Sequence, residues 1–180
     1  WIVSAFSDDT NVARYKALLN DVSGRWAWNR QIYGHVFYPK TATSGDMTTH
    51  GLAQDDRHIS VIPRPASASV PEPGWEWVAA AAARIVPWLS DGATGNVSRN
   101  HTGLAVQGIS APRDRSKWYG YATRDAFLRS GVSTWTVDSV GRVTVDKIIT
   151  TQRTTNGVTD TTFRDIQKIG QLVYALRKFR

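Results

Sequence analysis

The stretch "YGHVFYPKTATSGDMTTHGLAQDDRHISVIPRP" (residues 33–65) contains three units of different character, and the class of fold turns on them. "YGHVFYPK" (33–40) is aromatic and apolar and reads as a strand. "SGDMTTHGLAQ" (44–54) reads as a helix. "RHISVIPRP" (57–65) reads as another strand, which Pro63 and Pro65 should cut off because proline cannot continue a central ladder.

The alternation continues in both directions. Upstream, "WIVSAF" (1–6) suits a buried strand, and Ser7 and Asp8 are helix-capping residues. Val12, Tyr15, Leu18, Leu19 and Val22 follow at helical spacing, with Gly24 as the stop. Downstream, a Pro/Ala/Ser connector (63–74) leads to "PGWEWVAAAAARIVPWL" (73–89), an alanine-rich helix that Pro87 should kink or end. A loop is expected over 90–103, a fourth buried strand over "LAVQGI" (104–109) and an exposed connection over "SAPRDRSKWYGYA" (110–122). "TRDAFLRSG" (123–131) reads as a short helix from Thr123 to Gly131. Trp135 and Val137 then alternate with Thr134 and Thr136 before a turn at "DSVG", and Val143, Val145 and Ile149 continue beyond it as a hairpin. In "TTFRDIQKIGQLVYALRKFR" (161–180), Phe163, Ile166, Ile169, Val173 and Leu176 form the apolar stripe of a final helix. The expected fold is α/β: a mixed, mostly parallel sheet flanked by helices, with a β-hairpin and a C-terminal helix.

Composition narrows the function. With 41% hydrophobic residues and eight Trp, the 180-residue chain has ample material for a core. The longest apolar run, Val78 to Ala83, is far too short to span a bilayer, and zero cysteines exclude disulfides and thiolate metal sites. A net charge of +7 raises the question of an acidic partner. In "PRDRSKWYGY" (112–121), basic residues beside Trp118, Tyr119 and Tyr121 suit phosphate contacts plus base stacking. They also suit an exposed connection whose aromatics pack back onto the domain, which is the favoured expectation.

Motifs of chemistry are missing. The sequence has no HExxH, GxSxG, GxxxxGK[ST] or GxGxxG. "HGLAQDDRH" (50–58) comes nearest to a metal-ligand cluster, but a solvated helix end accounts for it better. No catalytic residue, metal ligand, cofactor or small-molecule substrate is assigned, and an enzyme is not expected. The final helix is more informative. Arg164, Lys168 and Lys178 fall along one side of it, and Arg177 and Arg180 extend the positive charge, a pattern fit to dock on an acidic protein surface.

The segment "LRSGVSTWTVDSVGRVTVDKIITTQRTTNGVTDTTFRDIQKIGQLVYALR" resembles the corresponding part of the tail sheath proteins of Mu-like contractile-tailed phages and prophages. Gly131, Trp135, Thr136, Asp138, Gly141, Val143, Thr150, Thr151, Asn156, Gly157, Asp160, Asp165 and Tyr174 stand at the family's pattern positions. The likeness extends more loosely upstream through "LNDVSGRWAWNRQIYGHVFY", "DDRHISVIP" and "EWVAAAAARI". Gln152 stands where the family has an aromatic, and by the resemblance the extensions that add strands to neighbouring subunits in full sheaths are expected to be missing at both ends.

The resemblance implies a structural virion protein of the contractile tail, assembled in the bacterial host cytoplasm. Full sheath subunits form stacked hexameric rings around a tail tube and contract on a signal from the baseplate, so self, tube protein and baseplate are the implied partners. A chain without the arms is expected to stay monomeric. It also implies a core domain over 1–151, then a linker and the first helix of a truncated tube-facing domain over 152–180. By that likeness Arg164, Lys168, Arg177 and Lys178 would contact the tube. Trp135, Val143, Val145, Asn156 and Gly157 would build the hairpin and the junction. The alternative left open is a basic nucleic-acid-binding module.

Overall fold

A computed structural model describes residues 1–89 and 100–179; most of the loop expected at 90–103 lies outside the described residues. Strands β1 (Ile2–Val3), β2 (Val36–Ala42) and β3 (Ile59–Pro65) form a parallel sheet in the order β1-β2-β3. The helices α1 (Asp9–Leu19) and α2 (Ser44–Gln54) are the crossovers. Side chains alternate across the sheet plane. Tyr38, on one face, meets Tyr15 of α1 and hydrogen-bonds His50 of α2 at 3.0 Å. Phe37 and Pro39 point to the other face, where α3 (Gly74–Leu89) lies with Gly74 against Pro39. The mixed α/β class, the parallel sheet and the helices on both faces are as the alternation predicts.

The two capping expectations differ in outcome. Asp8 caps α1, its carboxylate accepting from Asn11 N. Thr123 does not cap the next helix, α4 (Tyr121–Ser130), which starts two residues earlier behind Gly120. Gly131 does end it, at φ +84°. Val22 falls past the end of α1 and is exposed, so it is no part of that helix's apolar row.

β3 runs through both prolines to Pro65. Hydrogen bonds explain why. Val36 N donates to His58 O, so the even-numbered residues of β3 turn their backbone groups toward β2. Ile59 and Val61 turn theirs outward, where their carbonyls accept from Thr151 N and Ser133 N. Pro63 and Pro65 share that outward parity, so the missing N–H groups are not needed by the ladder. Similarly, Pro39 faces the β1 side just beyond the last bond there, Ser4 N to Phe37 O.

"LAVQGI" forms no strand: only an isolated bridge joins Ala105 to Thr144, and Gly108 turns the chain away at φ +83°. α3 continues past Pro87 to Leu89. The expected hairpin is present as β4 (Thr134–Val137) and β5 (Val143–Lys147), pairing Trp135 with Val145 and Val137 with Val143. A second hairpin, β6 (Thr154–Thr155) and β7 (Val158–Thr159), was not expected. The last helix, α5 (Ile166–Lys178), buries Ile166, Ile169 and Val173 in the cluster that also holds Val36, Tyr38 and Ile85. Gly170 crosses α3 so closely that a Cβ there would lie 2.9 Å from Leu89 O.

Candidate functional site

Two places answer to the residues singled out in the sequence: the junction after β5 and the surface of α5. At the junction, Thr150 and Thr151 are fully buried. Thr150 donates through N and Oγ1 to the carbonyls of Arg164 (2.8 Å) and Phe163 (2.9 Å). Thr151 Oγ1 donates to Asp56 O and accepts from Asp56 N, both at 2.9 Å. A buried hydroxyl that both donates and accepts fixes the two backbones against each other.

Asp55 completes this clasp. It ends α2 in the left-handed conformation (φ 35°), and its carboxylate accepts from Arg153 N, from Thr154 N at 3.0 Å and from Thr154 Oγ1 at 2.6 Å. Burial alone would raise its pKa, but the Thr154 and Arg153 hydrogen bonds outweigh that and lower it. Gly131 makes room, since a Cβ would sit 2.8 Å from Thr151 O. Gln152 is buried and donates to Thr155 Oγ1 at 2.9 Å. Asn156 (φ 54°) and Gly157 (φ 79°) supply the two left-handed residues of the β6–β7 turn.

The first hairpin is pinned as firmly. Trp135 donates its indole N–H to Pro63 O (2.9 Å) and packs on Trp77 and Tyr119. Trp135, Val143 and Val145 are all buried.

On α5 the four basic residues separate. Arg164 lies before the N-cap Asp165 and is half-buried; burial first, then the charge of Arg153, lowers its pKa. Lys168 is exposed and shares a surface depression with Arg164, Arg129 and Lys147, together with Asp125 and Asp165. The charge there is mixed. Lys178 is exposed with its ammonium 5.6 Å over the Tyr174 ring. Arg177 continues the inward row of Gly170 and Val173 beyond the core, and its charge reaches the amino end at Trp1. Lys168 and Lys178 thus face outward, about 15 Å apart along the helix.

The four histidines are built into the fold, and burial lowers the pKa of each. His35 meets Ser60 at 2.8 Å, His58 Nε2 lies 3.3 Å from Asp21, and His101 Nε2 accepts from Ile148 N. Among the described residues, no group of three or more His, Asp or Glu side chains could hold a metal, and no helix is long and apolar enough to cross a membrane. In "PRDRSKWYGY", Trp118 donates to Pro112 O and Tyr119 packs against Phe127 and Trp135, while Tyr121 remains exposed.

Across 175 residues, 97% of its length, the chain is 27% identical to the Mu-like prophage FluMu tail sheath protein of Haemophilus influenzae. The chain is similar to a phage tail sheath protein. The likeness holds at the level of fold: the crystal structure of a sheath tail protein from Desulfitobacterium hafniense matches 97% of the chain with a TM-score of 0.56 at 15% identity. No protein-family model matches. The chain spans about a third of these relatives, 34% of the first and 36% of the second. The clasp uses Gly131, Thr150 and Thr151, residues named by the sheath resemblance. Asp55 was missed because its partners lie almost a hundred residues away.

Proposed function

We propose that the chain is a segment of a contractile phage tail sheath subunit. The parent protein polymerises as stacked sixfold rings around the tail tube, and contracts on the baseplate's signal to drive the tube through the host envelope. Assembly takes place in the bacterial cytoplasm, and the product is part of the virion. Residues 1–151 are the core and 152–180 lead into the tube-facing part. At dilute concentration residues 1–180 alone are monomeric. The observation that carries this reading is the co-linear likeness to a prophage tail sheath protein over 97% of the chain.

Lys168 and Lys178 carry the tube contact, with Arg164 and Arg177 at its margins. The outward position of Lys168 and Lys178 on α5 supports this, since opposed charge fixes register between protein surfaces. Electron microscopy of the full-length parent expressed with its tube protein tests the function: striated tubes are expected, and their absence overturns it. Lys168→Glu with Lys178→Glu should impair assembly on tubes. Unchanged co-assembly at physiological salt would refute the contact.

A further inference from the structure

Two patches at opposite ends of α1 remain unused by the tube-contact reading. At its C-terminal end, residues 20–34 form a compact loop held by its own backbone. Arg25 N donates to Leu18 O, Ile32 N to Arg25 O, and both Arg30 N and Gln31 N to Ala27 O. Trp26 anchors the loop inward, donating to Gly34 O and packing on Tyr33 and His58, with Arg57 stacked on its ring. Two residues later Trp28 points outward and is 83% exposed. Val22 and Ile32 are exposed beside it in the loop. Arg25 and Arg30 are exposed there too, and among the described residues neither forms an ion pair within the chain.

A large aromatic on a preformed loop, flanked by arginines, has the composition of the residues that dominate protein interfaces. The loop surrenders little conformational freedom on docking.

At the N-terminal end of α1, Phe6 is 63% exposed beside the carboxylates of Asp8 and Asp9. This patch is also preformed. Phe6 N donates to Ser4 Oγ, Tyr15 OH donates to Phe6 O, and Asp8 caps the helix. The Asp9 carboxylate is 91% exposed, with His50 3.8 Å from it and Lys16 and Lys40 farther along the same surface depression. The two patches match in kind: one aromatic with two cations, one aromatic with two anions. Eleven residues of α1 separate them by about 16 Å, so they cannot meet within one chain.

We infer that the Val22/Arg25/Trp28/Arg30 surface of one copy docks on the Phe6/Asp8/Asp9 surface of a second copy, head to tail. Such a contact is heterologous and repeats from copy to copy. With one aromatic and a few charged side chains on each side the contact is small, so it forms at high local concentration and not in dilute solution. It is separate from the tube contact of α5 and needs no tube.

The cysteine-free sequence makes the test clean. Chains carrying Asn29→Cys and Ala5→Cys, which leave Trp28 and Phe6 in place, are mixed at high concentration and oxidised, and disulfide-linked species are counted by mass. Both positions are exposed, and unchanged circular dichroism confirms the fold. The mixed N29C–A5C dimer should dominate, and its yield should fall about tenfold when Arg25→Glu and Arg30→Glu are added to the N29C chain. Adding Asp9→Lys to the A5C chain that meets that reversed chain should recover part of the yield. Equal yields of all pairings, a dominant N29C–N29C dimer, or no cross-link overturns the inference. None of those outcomes touches the sheath reading, which stands or falls on the striated tubes of the parent.

Discussion

Gly131→Ala should be far more damaging than Gly141→Ala, although both glycines have nearly the same backbone conformation. Their φ angles are +84° and +85°, in the left-handed region. An L-residue placed there costs about 1–2 kcal/mol. At Gly141 that is the whole cost, because a Cβ would meet nothing within 4 Å. At Gly131 the Cβ would also lie 2.8 Å from Thr151 O and 3.0 Å from Thr151 Cα. Those are backbone atoms, held by the Asp56 and Ile59 hydrogen bonds, and cannot swing aside. Overpacking of this sort adds about 1–3 kcal/mol. The expected losses are therefore about 1–2 kcal/mol for G141A and about 2–5 kcal/mol for G131A. In a chain of this size each kcal/mol lowers Tm by about 2–4 °C. Urea unfolding followed by tryptophan fluorescence, with calorimetry for Tm, measures both. Equal losses in the two variants would refute the claim that the Thr151 backbone presses on Gly131.

Asp55→Ala should destabilise by about 1–3 kcal/mol, since it strands the buried-side donors of Arg153 and Thr154. Denaturant titration checks this, and a loss no larger than that of an ordinary surface substitution would count against the clasp. Because Asp55 has a lowered folded-state pKa, its contribution is present above the ordinary carboxylate pKa of about 4 and is lost as pH falls below it. Asp55→Asn should accordingly flatten the stability profile in that acid range. All four histidines have lowered pKa values, with burial as the first cause, and His50 falls to about 4. The unfolded chain therefore takes up more protons below about pH 6.5, and Tm should drop from neutrality toward pH 5. Replacing His101 by Gln should reduce that drop, because a protonated ring cannot accept from Ile148 N; an unchanged profile would refute its part.

Legibility in the sequence followed the range of the forces involved. Local signals were readable: the Asp8 cap, the Gly131 stop, the bounds of α2 and the alternation of β4 and β5. "LAVQGI" misled because an apolar run does not say whether a partner strand is available, and here only Thr144 pairs with it. The prolines of β3 misled because sequence does not reveal which way a residue's backbone points within a sheet. The β6–β7 hairpin was readable in principle, since Asn156-Gly157 is a strong two-residue turn signal between short β-prone runs. On α5 the basic residues were legible but their separation was not. The start at Ile166 puts Arg164 before the helix, and the packing of Gly170 on α3 turns Arg177 toward the amino end. Asp55 could not be found locally, as its role exists only once residues 153–154 return to it.

The outward side of β3 has a consequence for crowded copies. Ile59 and Val61 have their carbonyls taken by Thr151 and Ser133, Pro63 gives its carbonyl to the Trp135 indole, and Pro63 and Pro65 have no N–H to offer. A strand approaching from that direction finds the carbonyls of residues 59, 61 and 63 already bonded and no donor at residues 63 and 65. Copies brought close together cannot zip along this border, and any strand lent by a neighbour must enter the sheet somewhere else.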